Sequence, residues 1–266
     1  MKLQFLGSGS AFTTENYQSN MALHADNGNI LLIDAGGDIR FSLKESGIKL
    51  SQITDIFISH LHGDHTGGLE FIGFATYFSR LRKPKLHISA NLVHPLWENV
   101  LRGGMSSLQG MIANLDTYFE VCPVQANGGF VFEGIDVRLV RTMHVMDGFD
   151  FIQSYGIMYE IEGLKTFITT DTQHCPNQIN DFYKMCDVVF HDCETFQFKS
   201  GVHAHYTDLI TLPIETKNKL WLYHYQDGVL PDAIKDGFRG FVRKGQVFDY
   251  NLDYQSTFRS SIAEDT

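Results

Sequence analysis

The chain reads as an α/β protein in which two sheets pack face to face under covering helices. Three observations point there. Several apolar runs have strand length and no polar alternation, helix-like segments interleave with them, and both halves of the chain repeat that style. With 266 residues, 43% of them hydrophobic and 21 of them Phe, the chain can bury a large aromatic core, and a single domain over 1–266 is expected.

The elements follow in order. Strand-like runs occupy 3–6, 21–24 and 30–34, the last broken by Ala35-Gly36-Gly37 before a helix-like stretch at 38–46. A strand is expected at 55–59, a helix over 66–81, a strand at 85–90 and a helix at 92–101. Periodicity loosens from Gly103 to Asn114. In the second half, 130–132, 136–140, 156–161 and 166–170 read as strands. Pro176 suits the first turn of a helix reaching Met185. Runs at 187–191 and 220–223 read as buried strands, and the tail at 237–250 supplies two more.

Composition narrows the function. A formal charge of −10 disfavours an extended nucleic-acid surface, because Lys and Arg drive phosphate binding, but it leaves room for a small anionic substrate. Cys122, Cys175, Cys186 and Cys193 show no C-x-x-C spacing and suit reduced, cytoplasmic thiols. The start has no long apolar segment of a secretory signal, and no run reaches the ~18 residues that span a bilayer.

One motif outweighs the rest. His60-Leu61-His62-Gly63-Asp64-His65 directly follows the buried-strand run Asp55-Ile56-Phe57-Ile58-Ser59. In extended backbone alternate residues share a face, so His60, His62 and Asp64 point one way and His65 the other. Such a turn can feed two adjacent cations, since imidazole and carboxylate are what zinc and similar divalent ions accept. A two-metal site needs more ligands, and His144, Asp171 and His224 each stand at the end of a strand-like run. A lone strand-end Asp can instead cap a helix, and a lone His can be a surface residue; joined to the motif, the three fit one site.

These residues, in this order, resemble the ligand set of the metallo-β-lactamase fold over nearly the whole chain. The likeness implies a four-layer αβ/βα sandwich with two divalent ions, zinc or else manganese, in a cleft between the sheets. It gives His60, His62 and His144 to one ion, Asp64, His65 and His224 to the other, and makes Asp171 the bridge. Asp64 is counted among the catalytic residues as well. Asp171 stands where the familiar zinc β-lactamases place Cys, which argues against that activity.

Two further stretches resemble the transfer-RNA 3′-processing endonucleases (the tRNase Z group). Leu6-Gly7-Ser8-Gly9-Ser10 looks like their N-terminal turn. His203-Ala204-His205-Tyr206-Thr207 is similar to their His-Ser-Thr motif, with His205 matched to its proton-donating His, Tyr206 departing from its Ser and Thr207 keeping its Thr. His191-Asp192-Cys193-Glu194-Thr195 resembles their His-Glu-Ala-Thr segment, so either Asp192 or Glu194 can orient His205, with Glu194 taken as the catalytic partner. The chain lacks their Gly/basic arm for RNA.

The segments 190–194, 200–206 and 222–226 look closer to the anti-Pycsar cyclic-nucleotide phosphodiesterases. That likeness implies hydrolysis of a small cyclic nucleotide, cyclic CMP or cyclic UMP, by a homodimer. Phe149, Phe151 and Tyr155 are candidates for stacking a base, and the Gly103–Asn114 stretch is a candidate for crossing to a second subunit. The alternatives are a tRNase Z-like endonuclease, a lactonase or thioesterase, and a non-catalytic nucleotide-sequestering protein.

Overall fold

The computed structural model describes residues 1–252; residues 253–266 of the domain expected over 1–266 lie outside the described residues. In chain order the strands are β1 (Lys2–Phe5), β2 (Met21–His24), β3 (Ile30–Ile33), β4 (Ile53–Ile58), β5 (Lys85–Ser89), β6 (Ser107–Leu108), β7 (Met111–Ile112) and β8 (Glu120–Val124). They continue as β9 (Gly129–Phe132), β10 (Ile135–Met146), β11 (Phe151–Ile161), β12 (Leu164–Ile168), β13 (Val188–Asp192), β14 (Leu220–Tyr223), β15 (Gly240–Phe241) and β16 (Val247–Asp249).

Two seven-stranded sheets result, ordered β16-β1-β2-β3-β4-β5-β8 and β15-β14-β13-β12-β11-β10-β9. Each begins as an antiparallel meander and becomes parallel: β3, β4, β5 and β8 in one, β12 to β15 in the other. The parallel strands are the continuous apolar runs. Ile30–Ile33, Val188–Asp192 and Leu220–Tyr223 are buried at every position, as strands covered on both faces must be. One core cluster draws Leu32, Phe57 and Ile88 from the first sheet together with Ile157, Phe190 and Trp221 from the second. Helices Ile39–Glu45 and Leu69–Phe78 cover the first sheet with Ile39, Leu43, Leu69 and Ile72. Helix Pro176–Met185 covers the second through Ile179 and Tyr183. The four-layer αβ/βα sandwich is thus the architecture.

Three local differences from the sequence reading have physical causes. Strand β8 carries Pro123 and escapes propensity reasoning; it stands at the sheet edge, where a missing N–H is tolerated. Strand β10 runs on to Met146, so His144 lies inside a strand. The β10–β11 register shifts between Met143 and Val145, and this bulge leaves His144 as the extra, unpaired residue. The stretch after Gly103 forms a helical turn, Arg102–Met105, and the hairpin β6–β7, whose Ile112 is exposed. All four cysteines are free thiols, and no helix among the described residues is long and apolar enough to cross a membrane.

Candidate metal centre

The site forms where the parallel strands of both sheets end. His60 and His62 leave β4, His144 is turned in by the β10 bulge, Asp171 follows β12 and His224 follows β14. Backbone strain gathers here: Asp34, Thr170 and His224 hold φ of 61°, 51° and 69°, a region side chains other than Gly seldom occupy. The extended-chain argument does not carry through the motif. His62 caps a short helix, Gly63–Thr66, and helical backbone, rather than strand alternation, aims Asp64 and His65. Gly36 permits this close approach, since a Cβ there would stand 2.2 Å from the Asp64 carbonyl. The Gly7-Ser8-Gly9 turn braces the far side, with the Ser8 carbonyl accepting the His224 N–H at 2.7 Å.

Second nitrogens fix the imidazoles. Ser59 donates its backbone N–H and its hydroxyl to Asp34, both at 2.8 Å, and its oxygen is left to accept from His60 Nδ1 at 3.0 Å. His65 Nδ1 donates to Asp34 Oδ2 at 2.8 Å, and His144 Nδ1 donates to the Val202 carbonyl at 2.8 Å. In each of these rings Nε2 is therefore the nitrogen that turns inward.

Two groups of ligand atoms converge, and Asp171 belongs to both. In the first, His62 Nδ1 lies 3.0 Å from His60 Nε2 and 3.1 Å from His144 Nε2, while Asp171 Oδ2 stands 3.7 and 3.6 Å from those two Nε2 atoms. In the second, His65 Nε2 lies 3.1 Å from Asp64 Oδ2 and 3.3 Å from Asp171 Oδ2. His224 Nε2 completes it, 3.4 Å from Asp64 Oδ2 and 3.6 Å from Asp171 Oδ1. A tetrahedral zinc with nitrogens at about 2.0–2.1 Å sets its ligand atoms about 3.3 Å apart, and these spacings bracket that value.

The electrostatics make the same demand. Burial pushes the imidazoles of His60, His62 and His144 below the ordinary histidine range, so neutral lone pairs face one another. Burial also pulls on His65, but the carboxylates of Asp171, Asp64 and Asp34 hold it well above that range. Asp64 and Asp171, against their own burial, are held below the carboxylate range, Asp64 chiefly by His65 and Asp171 by His224 and His65. Positive charge is wanted between these residues, and the donor set of nitrogens and carboxylate oxygens fits divalent cations.

A third group adjoins these two: Asp171, Asp192, His203 and His224. His203 stacks on the His224 ring with centroids 4.6 Å apart and donates from Nδ1 to Asp192 Oδ2 at 2.8 Å. Burial lowers the His203 pKa, but the charge and hydrogen bond of Asp192 push it up to about 10.

His205, the histidine expected here, is not brought to the cluster. Its Nδ1 accepts from the Thr207 N–H at 3.2 Å and meets Thr207 Oγ1 at 2.8 Å, which leaves Nε2 to donate to the Phe196 carbonyl at 2.8 Å. Both ring nitrogens are thus committed to neighbouring loop and helix backbone rather than to the cluster. Glu194 does not touch that ring either; its Oε2 accepts the Ser200 N–H at 2.9 Å. Tyr155, a candidate for base stacking, is wholly buried in β11, while Phe149 is exposed at the β10–β11 turn. His203 was legible as the first His of His203-Ala204-His205, and Asp34 carries the same strand-end signal as Asp171.

Fold and site together define a metallo-β-lactamase-fold protein. Its backbone superposes on the metallo-β-lactamase-fold protein YhfI from Bacillus subtilis with a TM-score of 0.72 at 14% identity, over 92% of this chain and 98% of that one. Human tRNase Z, short form, gives 0.68 at 18% identity, over 95% and 100%. The chain belongs to the family described as Anti-Pycsar protein Apyc1, whose model matches residues 1–248. The Anti-Pycsar protein Apyc1 of Paenibacillus harenae is 34% identical over 234 residues, covering 86% of this chain and 91% of that relative.

Proposed function

We propose that the chain is a phosphodiesterase with two divalent metal ions, zinc or else manganese, that opens a small cyclic nucleotide, 3′,5′-cyclic CMP or cyclic UMP. The observation that carries this reading is the His203–Asp192 pair set against both ligand groups. Hydrolysis at phosphorus needs charge neutralised on the non-bridging oxygens and a proton for the departing alkoxide. When bound, the ions supply that positive charge and activate water. His60, His62 and His144 would hold one ion, Asp64, His65 and His224 the other, with Asp171 between them.

This chain's own residues do the rest. Asp192 keeps the His203 ring oriented and protonated, and Nε2 is the nitrogen left to face substrate. As the phosphorus–oxygen bond breaks, the leaving oxygen takes the Nε2 proton, and Asp192 stabilises the imidazole through Nδ1. The family's name supports a cyclic-nucleotide target. The −10 charge favours a small anion over RNA, and the likeness to tRNase Z is one of fold. The proposal carries with it a homodimer, a cytoplasmic location and one domain over the whole chain.

A panel of cyclic mononucleotides, a precursor transfer RNA and an acyl lactone tests it, with metal content measured on the same preparation. Ring opening of the pyrimidine cyclic nucleotides, with two ions per chain, is expected. Consumption of only the lactone or only the RNA overturns the reading, and nucleotide binding without product makes the protein a sequestering one.

A further inference from the structure

We propose that His205 and Glu194 are positioning residues that latch the loop between Thr195 and His203 onto the metal centre; the part of this that concerns turnover rests on the function proposed above. The loop touches the centre twice. Its Val202 carbonyl takes the Nδ1 proton of His144, and the next residue is His203. Yet the loop has little apolar anchorage of its own, because Phe196 and Phe198 are 55% and 69% exposed. Polar latches therefore set its conformation.

Those latches come in sequence. At the entry, Thr195 N–H donates to Gln226 Oε1 at 2.6 Å, and the Gln226 N–H returns to Thr195 Oγ1 at 3.1 Å. His205 then holds the Phe196 carbonyl through Nε2, and Glu194 holds the Ser200 N–H. Both latching side chains are nearly buried, and their own backbones are tied together, with Glu194 N–H to the Ala204 carbonyl and Tyr206 N–H to the Glu194 carbonyl, each at 2.9 Å. The latch thus rests on a rigid base beside β13 and acts on the two groups that orient His144 and deliver His203. His205 also caps helix Tyr206–Leu209 through Nδ1, so its two nitrogens do separable work.

That separation makes the test. In H205N the short amide can still accept from the Thr207 N–H, and Asn is among the best caps, but it cannot reach the Phe196 carbonyl. In H205Q the longer amide places a donor near the position of Nε2. Expected for H205N are an unchanged melting temperature, faster hydrogen exchange across 196–202, and turnover or metal affinity lowered about 10- to 100-fold, the usual effect of losing an outer-sphere support. H205Q recovers most of that loss. Wild-type exchange, turnover and metal affinity in H205N overturn the proposal, as does an equal loss in both variants with unchanged loop exchange. A wild-type chain that hydrolyses no phosphodiester would defeat the proposed function alone, since exchange and metal affinity in the same variants still read the latch.

Discussion

Two carboxylate–imidazole pairs contrast in this sandwich, one beside the ligand groups and one away from them. His203 donates to Asp192 at 2.8 Å beside the ligand groups. His87 donates to Asp55 at 2.7 Å between β4 and β5, five residues up the strand from His60, or about 16 Å of extended chain. By residue type and hydrogen-bond length the pairs match, although the His203 ring is 15% exposed and the His87 ring 6%. They differ in what faces the rest of the ring. The His203 ring is partly exposed, stacks on His224 and meets the His144 ring at 5.0 Å. The His87 ring lies flat on Phe130 of the opposite sheet, centroids 4.0 Å apart and 9° from parallel, and its buried Nδ1 has no hydrogen-bond partner among the described residues. A carboxylate beside a histidine is therefore ordinary core construction unless the ring also meets other converging ligand atoms.

The comparison can be broken at its strongest point first. Asp171 belongs to all three groups, so Asp171→Ala should remove at least one ion and reduce turnover to background; metal analysis showing unchanged stoichiometry would refute its shared role. His203→Ala comes next. It should keep both ions while turnover falls about 10²- to 10⁴-fold, as loss of a general acid does. Loss of metal in that variant would make His203 a ligand, and the contrast with His87 would then be one of coordination. The mildest effect belongs to the other pair. Asp55→Ala leaves a buried imidazole unpaired and should cost about 1–3 kcal/mol in urea unfolding, with metal content and turnover intact. A drop in metal content there would mean that the two ends of the sandwich are coupled and the comparison false.

How far the sequence could be read differs along the chain for the same kind of reason. Leu220–Tyr223 and Met21–His24 have the bounds expected of them, because strands buried on both faces are written as uninterrupted apolar runs. Strand β8, with its proline, was illegible because an edge strand obeys a weaker rule. The cluster at His60 to His65 announced itself by residue type and crowding alone. The segment from Asp192 to His205 could not. Two histidines two positions apart are equivalent on paper, and matching His205 to a motif chose between them by spelling.

What the sequence pointed to unaided was the α/β layering, through its apolar runs, and seven residues that the fold gathers into two groups, through a dense motif and three strand-end acids and bases. Only the tertiary structure decided which of the two rings joins the ligand groups. That placement depends on what the ring nitrogen meets. For His203 it is Asp192, eleven residues away on β13; for His205 it is its own loop, which turns the ring into a latch. Only the fold brings such partners within 3 Å, and a hydrogen bond has no range beyond that from which a pattern in the chain could be read.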